Sequence, residues 1–221
     1  MEFEIHVLSD SSATLYFEQK ISPNINDKVL STVAWIRKNP FQGLKEIVPA
    51  YASVTVFYDI LKIRQNSNSE ESAFAFVEKY LSQIPFDQFK DSINSEAILE
   101  IPVAYKGEDL AFAEEYLNLS KSEIIELHTA PVYRVYMIGF LPGFAYLGGM
   151  NKVLALPRKS IPSLNIAKGS VGIAGLQTGV YPIDSPGGWQ IIGQTTQEMF
   201  DLNSLNLSLL NAGDKVKFVS V

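Results

Sequence analysis

Phe3, Ile5 and Val7 alternate with Glu4 and His6, and Ala13, Leu15 and Phe17 repeat the period of two shortly afterwards. Alternation puts apolar side chains on one face of extended backbone, so the two runs predict two half-buried strands. Behind Pro23 and Asn24, the residues Val29, Leu30, Val33, Ala34 and Ile36 recur at helical spacing and predict a helix that stops near Asn39-Pro40. Ile47 to Ala50 and Ser53 to Tyr58 read as two more strands. Arg64 to Ser69 reads as a polar loop, and Ser69-Glu70-Glu71 opens a helix carrying Phe74, Phe76, Val77, Tyr80 and Leu81. The order is ββαββα.

Pro85 to Ser95 is polar and helix-breaking enough to join two domains, 1–90 and 91–221. Beyond it Ile98 to Ala104 reads as a strand and Glu108 to Leu117 as a helix with an acidic start. A second helix begins at the capping box Ser120-x-x-Glu123 and ends at Pro131, just after His128. From Val132 the pattern turns to short strands and tight turns, with a last strand at Lys215 to Val221, which is the look of a barrel or sandwich. The fold class is therefore α+β. Val135 to Thr195 holds 11 of the 14 glycines and five prolines, interleaved with Phe140, Phe144, Tyr146, Tyr181 and Trp189. Such density marks turns and close backbone approaches.

Composition narrows the function classes. A chain of 221 residues, 47% hydrophobic and 19% charged, supports two packed domains. A net charge of -6 without a basic run gives no footprint for nucleic acid. No apolar run suits a membrane span, and the start Met-Glu-Phe-Glu-Ile lacks a basic leader region, so a cytoplasmic protein with no membrane partner is expected. With no cysteine and only His6 and His128, neither thiolate chemistry nor a bound metal is expected.

His128 sits near a helix C-terminus, where the dipole favours the imidazolium, and it is the one obvious proton shuttle of the second half; capping or packing is the competing role. Arg158, held by Pro157, suits a carboxylate or phosphate, against the alternative of a surface ion pair. Gln177 and Thr178 offer donors and acceptors to an amide edge, or stabilise a turn. Phe140, Pro142 and Gly143, with Tyr181, Ser185, Gly187, Gly188 and Trp189, complete a surface for a small anionic or amide-bearing ligand, on which Trp189 either anchors the core or stacks on a ring. Neither Ser170 nor Ser185 stands in Gly-x-Ser-x-Gly. Gly169-x-x-Gly172-x-x-Gly175 is neither a dinucleotide fingerprint nor a Walker loop.

His128-Thr-Ala-Pro131, Tyr133-Arg-Val-Tyr-Met137, Gly139-Phe-Leu-Pro-Gly-Phe144, Gly169-Ser-Val171, Gln177-Thr-Gly-Val-Tyr-Pro182 and Ser185-Pro-Gly-Gly-Trp189 together resemble the 5-oxoprolinase B-subunit family. That family is also called allophanate hydrolase subunit 1 or the sporulation kinase inhibitor family. Asp10-Ser11, Val48-Pro-Ala-Tyr51 and Tyr58-Asp59 extend the likeness to nearly the whole chain. The resemblance implies an α/β domain followed by a cyclophilin-like, carboxyltransferase-type barrel. It also implies two partners, a larger cyclophilin-like C subunit and a third, A subunit, in an assembly that uses ATP to cleave the lactam of 5-oxo-L-proline to glutamate. ATP is not expected to bind tightly to this chain alone. Other relatives implied by the resemblance block autophosphorylation of a histidine kinase, and one family name points to urea or allophanate metabolism. The family pattern carries arginine where this chain has Ser163 and Gln194, and glycine where it has Leu176, so weaker anion binding is expected there.

Overall fold

The computed structural model describes residues 3–66, 71–89 and 97–221. The chain divides into two compact units, Met1–Ile93 and Asn94–Val221, and the junction expected near residue 90 lies outside the described residues.

In the first unit β1 (Glu4–Ser9), β2 (Ser12–Tyr16), β3 (Leu44–Pro49) and β4 (Ser53–Tyr58) form an antiparallel sheet in the order β1-β2-β4-β3. The alternating residues do what the period of two requires: Ala13, Leu15, Val54, Val56 and Tyr58 share one buried cluster. Val29, Val33 and Ile36 of α1 (Pro23–Lys38), with Val77 and Leu81 of α3 (Ala73–Leu81), complete that core. Proline at the start of α1 costs nothing, because the first turn has no use for its missing donor. One expectation fails between the strands and α3. Arg64 to Asn66 belongs to a short helix α2 (Ile60–Asn66) and not to a loop; Asp59 starts it by accepting the amides of Leu61 and Lys62. Ser69 and Glu70, read as the start of α3, lie outside the described residues, and Ser72 caps that helix by accepting from the amide of Ala75.

The second unit contains β5 (Ile98–Val103), α4 (Leu110–Leu117), α5 (Lys121–Thr129), β6 (Tyr133–Ile138), β7 (Ala145–Gly148), β8 (Ser163–Ile166), β9 (Ser170–Ala174), β10 (Gln177–Val180), β11 (Ser185–Gly187), β12 (Gln190–Gln194) and β13 (Lys215–Ser220). Seven strands run in the order β12-β9-β10-β7-β6-β13-β5, and β8 pairs with β11 as a separate ribbon. The two outer strands do not leave open edges. Ala104, just past β5, and Gln194, at the end of β12, exchange both backbone hydrogen bonds at 2.8 and 3.0 Å, which closes the sheet into a barrel. The expected α+β class with a β-barrel in the second half is borne out.

Ile101, Val103, Tyr133, Leu147, Val171, Ile173, Val216 and Phe218 fill the barrel interior. The Ser120 capping box at the start of α5 forms as read, with Ser120 and Glu123 satisfying each other's amides. The preceding helix begins later than expected, at Leu110, because Gly107 and Asp109 donate their amides to Ile192 and Ile191 and so belong to the barrel seam. Among the described residues no helix is long and apolar enough to cross a membrane.

Candidate functional site

Pairing puts Ile191, Gly172, Gly179 and Tyr146 in one row across β12, β9, β10 and β7, with their side chains away from the barrel core. Two glycines in the middle of that row leave a shallow bed. A Cβ at Gly172 would lie 3.1 Å from that of Trp189, and one at Gly179 would lie 3.1 Å from the Phe144 ring. Rings fill the bed: Phe144, Tyr181 and Trp189 are all buried, with Phe144 edge-on to Tyr181 at 5.2 Å and to Trp189 at 5.3 Å. Gly187 is required for the same reason, since its Cβ would stand 2.4 Å from the Tyr181 hydroxyl. Much of the glycine read as turn chemistry is thus clearance for aromatic packing.

Over this floor stand four more accessible side chains. Phe140, in the turn between β6 and β7, is 61% exposed and has φ 71°, a left-handed conformation that costs an aromatic residue energy and that the Phe140–Gly143 turn imposes. Pro142 is exposed beside it, and Gly143 takes φ 81° where a Cβ would press within 2.8 Å of Phe200. Tyr146 is half-buried. Arg158 is exposed, makes no ion pair with any described residue, and lies near enough to Tyr146 and Tyr181 for its charge to oppose the rise in their pKa that burial causes; that of Tyr181 is pushed up to about 12.

Arg158 is held from both sides. The amide of Lys159 donates to Gly188 at 2.8 Å and the Gln190 amide group donates to the carbonyl of Pro157 at 3.0 Å. Lys159 also reaches Asp109 at 2.7 Å and Glu108 at 3.0 Å, and Asp109 accepts the amide of Ile191. Lys159 and Asp109, about 50 residues apart in the chain, carry no sequence signal of their own. Their partnership is created by barrel closure.

Several expected site residues do not join this surface. His128 is fully buried: Tyr105 lies 2.7 Å from its Nδ1, Thr178 lies 3.0 Å from its Nε2, and the ring stacks on Phe218 at 4.6 Å. Thr178 spends its own proton on the carbonyl of Gly172, so it accepts from Nε2–H, and Nδ1 accepts from Tyr105. Burial pushes the imidazole pKa down to about 3. The expected imidazolium and proton shuttle are therefore corrected to a neutral core histidine: desolvation outweighs the helix dipole. Thr178 is corrected with it, being wholly buried on the inner face.

Trp189, 5% exposed, anchors the ring floor and offers no open face for a ligand, and Tyr181 is equally enclosed. Ser185 is buried, and its hydroxyl has no hydrogen-bond partner among the described residues. Gln177 is half-buried on the outer face opposite Ala174, and Gly188 is half-exposed. The amides of Gly139, Gly169 and Gly175 are taken by Phe144, Tyr181 and Leu156, so these turns do not present them to a ligand. Of the three departures from the family pattern, Ser163 accepts from Lys159, Gln194 donates to the carbonyl of Lys168, and Leu176 is exposed at the β9–β10 turn.

The family model for the carboxyltransferase domain, subdomain C and D, matches residues 3–210. The B subunit of 5-oxoprolinase from Bacillus subtilis (strain 168) is 44% identical over all of this chain and 94% of its own length. Among solved structures, TTHA0988 superposes with a TM-score of 0.81 at 33% identity over 95% of this chain, which spans 39% of TTHA0988. PH0987 from Pyrococcus horikoshii is 43% identical over 99% of this chain and 97% of its own, with a TM-score of 0.56.

Proposed function

The chain belongs to the 5-oxoprolinase B-subunit family, within the carboxyltransferase subdomain C and D group, and from that membership we propose that it is the B subunit of an ATP-dependent 5-oxoprolinase. The carrying observation is 44% identity that runs through both units and nearly the whole length of the relative. The reaction opens the lactam of 5-oxo-L-proline to L-glutamate in the cytoplasm, together with a larger cyclophilin-like C subunit and a third, A subunit.

A lactam carbonyl is resonance-stabilised and resists water. Transfer of a phosphoryl group from ATP to its oxygen activates the ring carbon; water then adds there and the carbon–nitrogen bond breaks to leave the amine and a γ-glutamyl phosphate, whose hydrolysis by a second water gives glutamate and phosphate beside the ADP already released. Arg158, exposed above the aromatic floor and without an ion pair among the described residues, is the group of this chain suited to the charge that gathers on that oxygen or its phosphate. Gln177 is suited to the amide edge. The proton for the departing amine cannot come from His128, which is enclosed, and falls to solvent or to a partner protein. Nor does the chain carry a phosphate loop: its Gly169, Gly172 and Gly175 are occupied by packing and backbone pairing, which supports an ATP site elsewhere in the assembly.

Capture of native partners on the tagged chain tests the reading. Co-purification of a second, larger carboxyltransferase-like protein supports it, and capture of a sensor histidine kinase in its place overturns it.

A further inference from the structure

We infer that Gln190 is a positioning residue: from within the barrel it fixes the peptide that carries Arg158 and so sets where the guanidinium stands. This role depends on the one proposed for Arg158, but Gln190 is no part of the ligand surface itself. Pairing places Gln190 in one row with Ile173, Thr178 and Leu147 across β12, β9, β10 and β7, and all four are buried. The row belongs to the barrel interior. An amide only 5% exposed gives up its hydration and costs stability unless it is hydrogen-bonded, so a leucine would serve the packing better. Gln190 directs its donor out of the row, to the carbonyl of Pro157 at 3.0 Å. That carbonyl belongs to the peptide that joins Pro157 to Arg158.

The residues around Gln190 hold the other side. Lys159 donates its amide to Gly188 at 2.8 Å, and one oxygen of Asp109 accepts both the Ile191 amide and the Lys159 ammonium at 2.7 Å. Gly188 to Ile191 therefore grips both neighbours of Arg158 and leaves the arginine side chain exposed. The backbone bond of Gly188 survives any change of side chain. Gln190 is the side-chain anchor on the Pro157 side, where the proline ring fixes only its own φ. Holding this peptide matters because a guanidinium that meets developing charge must stand in place, and a displacement of about 1 Å is enough to cost up to about 10²-fold in rate.

Gln190→Met keeps the length of the side chain and removes the donor. In an assembly of this chain with the larger and third subunits proposed as its partners, it is expected to lower kcat for 5-oxo-L-proline at least about fivefold and to leave KM within about twofold. Combined with Arg158→Ala, the two losses should not multiply, as they would if Gln190 merely supported the barrel. In the full chain by itself, amide relaxation is expected to show the backbone order parameter of Arg158 falling from about 0.85 towards about 0.6 in Gln190→Met, with that of Ile173 unmoved. Gln190→Asn, which draws the amide back by one methylene, reads the same losses should Gln190→Met not fold. An unchanged kcat, multiplying losses, or an unchanged order parameter at Arg158 would each overturn the positioning role. If the native chain supports no turnover, the oxoprolinase role falls and the order parameter alone decides: lost order at Arg158 upholds the positioning, and retained order overturns it.

Discussion

The Nε2–H of His128 donates to the hydroxyl of Thr178 across 3.0 Å, and Thr178 passes its own proton to the Gly172 carbonyl at 2.9 Å. This relay joins α5 to β10 and β9 through the barrel interior. Thr178→Val keeps the shape and leaves the Nε2–H unpaired in the core, which is expected to cost about 1–3 kcal/mol in denaturant unfolding. Thr178→Ser restores the acceptor and is expected to recover most of the loss.

The same histidine makes the barrel acid-sensitive. Its pKa is about 3 when folded against an ordinary 6.5, so the unfolded chain takes the proton first. Stability from this group is complete above about pH 6.5 and drains as pH falls towards 3. Between pH 6 and 5, above the range where carboxylates enter, the expected slope is about 1 kcal/mol per pH unit. In His128→Gln the slope should flatten; an unchanged slope would assign the acid sensitivity elsewhere.

Gly187 is expected to tolerate no side chain. A Cβ there stands 2.4 Å from the Tyr181 hydroxyl and 2.7 Å from Ile166, so Gly187→Ala should cost about 1–3 kcal/mol by overpacking. Near-ultraviolet circular dichroism should change with it, because the Phe144, Tyr181 and Trp189 rings must shift.

Lys159 holds the seam. Its side chain is 15% exposed and that of Asp109 16%, so Lys159→Ala strands a largely buried carboxylate and is expected to cost about 2–3 kcal/mol. Lys159→Met, which keeps the stem, should be no better if the charge pair matters and nearly neutral if packing alone does.

What is legible in the chain alone is what is local. The Ser120 capping box, the proline start of α1 and the alternation of β4 each depend on residues within a few positions, and each stands in the structure, whereas β2, read as half-buried, is buried on both faces. The helix α2 escapes a reading by period because its seven residues are too few to repeat one and its cap, Asp59, follows directly on a strand. His128 misleads because local signals see only the end of α5, whereas its burial is set by Tyr105, Thr178 and Phe218, brought in from three other segments. Gly172, Gly179 and Gly187 signal close approach correctly, but whether a glycine admits a ligand or an aromatic ring is a tertiary fact. Arg158 stands out by its local setting, and the Lys159–Asp109 pair that fixes its neighbour becomes visible only with the barrel closed.

The most direct measurement is glutamate formation from 5-oxo-L-proline and ATP in a mixture of this chain with the larger cyclophilin-like subunit and the third subunit proposed as its partners. Turnover is predicted only when all three are present, with kcat lowered at least about tenfold by Arg158→Ala, a loss of about 1.4 kcal/mol in transition-state stabilisation. Glutamate formed at an undiminished rate without this chain would contradict the account.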